Sequence, residues 1–146
     1  DIEFEAGTFT NVMIIGALAN NTLTLHLLEE SYKELRQGAA RLSILNAHPG
    51  AGPINVALEN GVELVNQLGY PGYFGNNDGL ANLIVDAGTY DLIFSADGDA
   101  DMLFELPNRS LLSGRSYFIT VISADPPFFL TFSDIGETEA LLTKGE

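Results

Sequence analysis

Three carboxylates stand at alternate positions in Asp97-Gly98-Asp99-Ala100-Asp101, a spacing that lets a tight loop aim several hard oxygens at one Ca²⁺. Met102 occupies the position where a helix-flanked calcium loop carries Gly, and a solvated Asp-Gly hairpin accounts for the same residues. Asp97, Asp99 and Asp101 are therefore candidate ligands for a structural Ca²⁺, the only cofactor the residues offer. Asn76-Asn77-Asp78-Gly79 is a weaker version of the same pattern. His48 is the obvious candidate base, but a nucleophile or metal site needs partners. The only other histidine, His26, lies in a separate segment, and His48 reads more simply as a brace for the Pro49 to Pro53 corner. No nucleophile elbow, phosphate loop or dinucleotide fingerprint is present. No catalytic residue is expected, and the chain is not expected to be an enzyme.

Two further sets of residues could engage other molecules. Asn20-Asn21-Thr22 and Asn108-Arg109-Ser110 satisfy the N-x-Ser/Thr acceptor pattern, and both fall at predicted turns, which makes Asn20 and Asn108 candidate glycosylation sites. Tyr70, Tyr73 and Phe74 lie in a loop rich in Gly and Asn. Loop aromatics either close the open end of a core or present a contact surface, and these three are the candidate partner-binding residues, a glycan included. Ser43, Asn46 and Asn55 are explained by strand-face and turn hydrogen bonding.

The elements that must carry these residues are strands. Arg41 to Asn46 alternates polar and apolar side chains, His48-Pro49-Gly50-Ala51-Gly52-Pro53 interrupts, and Ile54 to Leu58 resumes the two-residue period. Asn60-Gly61 supplies the residue types that accept positive φ in a tight hairpin. Further strands are expected at Val62 to Leu68, Leu80 to Val85, Thr89 to Ala96, Met102 to Leu106, Ser116 to Ser123 and Phe128 to Ser133. Short strands with turn signals every eight to twelve residues, roughly seven in all, mark an antiparallel β-sandwich.

Ahead of these lie two more strands, Thr8 to Ile15 and Thr22 to Leu28. In the second, Thr22, Thr24 and His26 point to one face and Leu23, Leu25 and Leu27 to the other, as a half-buried strand requires. Glu29 to Gly38 has helix-forming composition, and a short helix or a polar linker fits it equally.

Charge and composition exclude several partners. Against 20 Asp and Glu stand only 6 Lys and Arg, a net charge of −14, so no phosphate-neutralising patch can be assembled and nucleic acid is excluded. No apolar run reaches the roughly 18 residues of a spanning helix, so membrane insertion is not expected. The 146 residues contain no cysteine, which leaves stability to the apolar core, oxygen-bound ions or association with other chains. A chain that starts at Asp1 fits a mature secreted product or a piece of something longer.

The two ends of the chain resemble each other. Ala6 to Ile15 matches Ser113 to Ile122 when a one-residue gap is allowed, and Leu23-Thr24-Leu25 after the first corresponds to Leu130-Thr131-Phe132 after the second. Self-similarity at a domain-sized period predicts that residues 1–38 hold a strand pair like the closing strands of a preceding repeat. Residues 39–138 would then form one complete sandwich, followed by a tail or linker at 139–146.

Four blocks in order carry a family resemblance: Ala40 to Val56, Asn60-Gly61, Asp86 to Leu92 and Ser113 to Tyr117. Over about residues 39 to 135 they resemble the domain of unknown function 4397 family. The resemblance implies an immunoglobulin-like sandwich, of the kind found in tandem in secreted or cell-surface proteins of bacteria and archaea. Two positions depart from the pattern: Pro49 follows His48 directly, and Asn55 stands where an Asp is usual. The family supplies no catalytic residues to carry over.

The combined expectation is an all-β, immunoglobulin-like antiparallel sandwich with two extra N-terminal strands. It would act as a non-enzymatic extracellular or cell-surface repeat, with copies of itself as partners in a homopolymer. A carbohydrate-binding or ligand-binding adhesin module is the alternative. The two N-terminal strands, apolar on one face through Thr8, Phe9, Val12, Ile14, Leu23, Leu25 and Leu27, would leave open backbone donors and acceptors alone and need a host. The edge of the chain's own sheet is one host and a neighbouring copy is the favoured one.

Overall fold

The computed structural model describes residues 9–16, 21–30, 34–49, 52–71, 78–96, 102–122, 129–134 and 141–144. Contacts divide the chain into two compact units, Asp1–Glu34 and Leu35–Glu146. The first contains β1 (Phe9–Ile15) and β2 (Thr24–Glu30). The second contains β3 (Ala39–Asn46), β4 (Ile54–Leu58), β5 (Glu63–Leu68), β6 (Leu80–Asp86), β7 (Gly88–Ala96), β8 (Met102–Leu111), β9 (Ser116–Val121), β10 (Phe129–Asp134) and β11 (Leu141–Lys144).

In the first unit β1 and β2 pair antiparallel, from Phe9 opposite Glu30 to Ile15 opposite Thr24. The turn out of β1 depends on Gly16, whose φ is +122° and where any Cβ would lie 2.3 Å from the Thr22 carbonyl oxygen. Of the two alternatives for Glu29 to Gly38, a short helix or a polar linker, the described residues 34–38 carry no helix, and residues 31–33 lie outside the described residues. Glu29 and Glu30 continue β2, because strand pairing with Thr10 and Phe9 overrides their weak helix preference.

The second unit is a β-sandwich. One sheet runs β11-β10-β9-β3-β6 and the other β5-β4-β7-β8. Every described pairing is antiparallel except β3 with β9, which run parallel from Arg41 opposite Ser116 to Asn46 opposite Val121. The first strand of the sandwich thus sits between its fourth and its seventh, whereas in a constant-type immunoglobulin domain it shares a sheet with the second, fifth and fourth.

Alternation explains the core. Ala40, Leu42 and Ile44 of β3 and Tyr117, Ile119 and Val121 of β9 meet Ile54, Val56, Leu92 and Phe94 of the facing sheet in one cluster. Burying each large aliphatic side chain fully is worth about 1.5–3 kcal/mol. The other faces of β3 and β9 are buried as well, so both strands lie inside throughout. The polar residues there are paired: Arg41 Nη1 donates to Ser116 Oγ at 3.2 Å, and Ser43 Oγ donates to Asn82 Oδ1 at 2.7 Å.

Two strands are longer or later than their sequence suggests. The strand expected at Met102 to Leu106 continues through Pro107 to Leu111 as β8. β8 is an edge strand, and the register shift between Tyr90 and Leu92 opposite it is a bulge, a place where a residue without an N–H is tolerated. Leu141–Lys144, expected as tail or linker, adds β11 to the edge of β10.

Candidate functional site

The surface most in need of a partner is one face of the β1–β2 hairpin. Register places Val12 opposite Leu27 and Ile14 opposite Leu25, with Leu23 beyond. All five side chains are exposed, Ile14 to 70% and Val12 to 51%. On the reverse face Ile15 and Leu28 are buried, with His26 between β-branched and aliphatic neighbours at half exposure. The alternation expected for Thr22 to Leu28 is therefore present, but its apolar side faces outward. A two-stranded ribbon is at best marginally stable alone in water, and this one displays a continuous apolar ladder.

Residues matched to this hairpin by sequence behave in the opposite way. Taken without the gap, so that Leu23 also falls on Leu130, alignment of Gly7 with Gly114 puts Val12 at the place of Ile119 and Ile14 at the place of Val121, which are exposed to only 0% and 3%. β9 has two hydrogen-bonded neighbours, β3 and β10, and a second sheet over one face, whereas β1 pairs with β2 alone among the described residues. Thr10 stands where β9 carries Tyr117, whose phenol oxygen accepts from the Leu112 N–H at 2.8 Å.

The second feature is one end of the sandwich. β3, β5, β7 and β9 all finish there and β4, β6, β8 and β10 all begin there, so the connections 47–53, 69–79, 97–101 and 122–128 leave from the same end. The side chain of Asn46 ties this end together. Its Nδ2 donates to the Gly52 and Leu68 carbonyls, both at 2.9 Å, and its Oδ1 accepts from the His48 N–H at 3.1 Å. Asn46 N donates to the Gly79 carbonyl and Ala47 N to that of Val121. Gly79 is required here, because a Cβ would lie 2.5 Å from Pro71 Cδ and φ is +72°. Asn55 Oδ1 accepts from Gln67 N–H at 2.8 Å and fixes Gln67 at a φ of 52° where β5 bulges against β4.

The predicted residues distribute unevenly over this frame. Val12, Ile14, Leu23, Leu25 and Leu27 come together on the hairpin, while Thr8 lies outside the described residues and Phe9 is described by its backbone alone. Tyr70 is half-buried beside buried Pro71. Tyr73, Phe74, Asp97, Asp99, Asp101 and Asn20 lie outside the described residues. Among the described residues no three of His, Asp and Glu gather as metal ligands. Asn108 is exposed, but it sits at the β8 bulge rather than in a turn, with φ at 55° and its N–H donated to Asp91 Oδ1 at 2.7 Å. The reason is the continuation of β8 past Pro107.

Bracing of the corner is carried by Asn46 more than its sequence neighbours revealed: His48 contributes its backbone N–H, and the side chain that ties the 47–53 connection to the end of β5 is two residues earlier. An Asn that binds the N–H two residues on is a local signal readable in sequence. Its acceptors at Gly52 and Leu68 are not.

No family model and no curated protein matches the chain. Among solved structures the chain is similar to a candidate cell adhesion protein from Bacteroides fragilis, with 12% sequence identity and a TM-score of 0.32. That match covers 80% of this chain and 54% of the other, so the chain spans about half the length of the protein it matches. No helix among the described residues is long and apolar enough to cross a membrane.

Proposed function

We propose that this chain is a non-enzymatic structural module of an extracellular or cell-surface assembly, a layer, stalk or filament in which sandwiches follow one another through β-strand contacts. The observation that carries the reading is the β1–β2 hairpin: a strand pair in a unit separate from the sandwich, with Val12, Ile14, Leu23, Leu25 and Leu27 exposed. A head-to-tail contact of this kind does not close on itself and propagates. High negative charge keeps such a module soluble between contacts.

Removing residues 1–34, which form a unit of their own, is the test. The remaining chain is expected to stay folded and monomeric while the full chain sediments as larger species and forms ordered rows in negative stain. A full chain that stays monomeric at every concentration and gains no stability when a strand set lacking its own closing pair is joined ahead of it overturns the reading, and a shortened chain that fails to fold shows that the hairpin belongs to the core of its own sandwich.

A second reading is supported by the end of the sandwich from which the connections after β3, β5, β7 and β9 leave, where Tyr70 is described; Tyr73, Phe74 and Asp97 to Asp101 belong in sequence to two of these connections and lie outside the described residues. Loops held on a rigid scaffold are the usual place for ligand recognition, and an adhesin module that grips a glycan there is the alternative. Binding of dispersed monomers to a glycan array, lost on Tyr70→Ala, would favour it over assembly.

A further inference from the structure

Resting on the assembly reading, we propose that the β1–β2 hairpin is a closing strand pair whose partner is a β3–β8 strand set of this same fold, in which β1 takes the place that β9 holds here. Ile119 and Val121 are buried because β3 lies beside them and the β5-β4-β7-β8 sheet lies over them. Val12 and Ile14 occupy the corresponding positions of β1 and have neither neighbour among the described residues. The surroundings that fit Ile119 are therefore the ones that fit Val12.

Register makes the proposal specific. β3 runs parallel to β9 with Ser43 opposite Phe118 and Ile44 opposite Ile119. Moved by the same correspondence, an acceptor's Ser43 faces Asn11 and its Ile44 faces Val12. β2 then lies outside β1 as β10 lies outside β9, each pair antiparallel, with a register offset of two residues that keeps the same faces together: Asn11 stands opposite Leu28 here, and Phe118 opposite Ser133, the match of His26, there.

Counting strands excludes the simplest alternative. Two complete copies that exchange β1–β2 for β9–β10 each still own one strand pair too many, so exchange covers no additional apolar face. Hairpin against hairpin is also weak, since a stable contact needs about 800 Å² from each partner and this ladder is five side chains wide. Only an acceptor without its own closing pair gains by taking the hairpin. Tyr117 explains why β9 rather than β1 fills the slot within one sandwich: Thr10 cannot make the bond to the Leu112 N–H.

The test joins residues 35–112 directly ahead of Asp1 of the full chain, so that β3–β8 precede β1–β2 as they precede β9–β10. A thiol introduced by Val12→Cys, the only one in the molecule because the chain has no cysteine, reports burial. In the fusion its labelling is expected to slow at least about 100-fold relative to the same substitution in the full chain, as core positions open only by unfolding. The unfolding enthalpy should rise by roughly half or more, in proportion to residues folded. A thiol as reactive as before, with no added enthalpy, overturns the proposal. The fusion carrying Val12→Lys and Ile14→Lys should lose the gain, and retention of the added enthalpy there also overturns it, since the acceptor then folds without the hairpin. Protection that grows with concentration in the full chain alone assigns the face to a second copy's hairpin instead. Self-association of the full chain together with a failed fusion removes this slot and leaves the assembly reading standing.

Discussion

β1 and β9 share an alternation, with Val12 and Ile14 matched to Ile119 and Val121, and end in opposite environments. In β9 Ile119 and Val121 lie in the core, and in β1 Val12 and Ile14 are half or more exposed. Alternation determines which side chains share a face. Whether that face is covered depends on a third strand and a second sheet, which for β9 come from residues about 75 positions upstream. A strand pattern is a demand for neighbours, and the two regions differ in whether the demand is met.

The largest effect expected from breaking this contrast comes from a charge at equivalent positions. Ile119→Asp should destabilise the sandwich by about 4–5 kcal/mol or more, because an unpaired carboxylate would be buried. Ile14→Asp should leave the denaturant midpoint of the sandwich unchanged. Urea titrations of both variants check this, and equal losses would erase the distinction. Tyr117→Thr sharpens it further by giving β9 the residue that β1 carries. The loss of a buried ring and of the bond to Leu112 N–H should cost about 3 kcal/mol.

Asn46→Ala should cost about 2–3 kcal/mol, since it leaves the buried Leu68 carbonyl and the Gly52 carbonyl without their donor. Hydrogen exchange should also quicken at Ala47, whose N–H ties β3 to the end of β9. Unchanged exchange there would mean that the loops do not depend on this side chain. The smallest effect is expected from calcium. If Asp97, Asp99 and Asp101 hold an ion, free Ca²⁺ at roughly five times its dissociation constant adds about 1 kcal/mol, read as a Tm rise of a few degrees that excess chelator reverses. An identical melting curve in chelator removes the ion.

Much of the fold was legible because it is written locally. The ends of β4, β6 and β7 fall within a residue of where alternation and turn residues place them, and the Leu23, Leu25, Leu27 face is as the two-residue period requires. What was hidden is non-local or dictated by context. Parallel pairing of β3 with β9 has no mark in either strand. Arg41 and Ser43 look like a solvent face and are buried, because Ser116 and Asn82 satisfy them. The strand expected at Met102 to Leu106 continues through Pro107, a bulge residue on an edge. For the candidate site, the hairpin's apolar residues were readable as a face, but its outward orientation was not. Asn46 was readable as a turn former, but its hold on Leu68 needed the folded chain.

The parallel β3–β9 ladder also bears on load. Ala39 opens β3 at one end of the sandwich, and Val121 closes β9 at the other, opposite Asn46. Tension applied between these two residues pulls β3 and β9 past each other along their length. In that direction the six residue pairs from Arg41/Ser116 to Asn46/Val121 resist together, whereas a strand peeled from one end gives up its hydrogen bonds one at a time. Force spectroscopy with handles at 39 and 121 should show one high rupture event, and handles at 39 and 86, which peel β3 from β6 beginning at the Ala39/Asp86 pair, should show a much lower one.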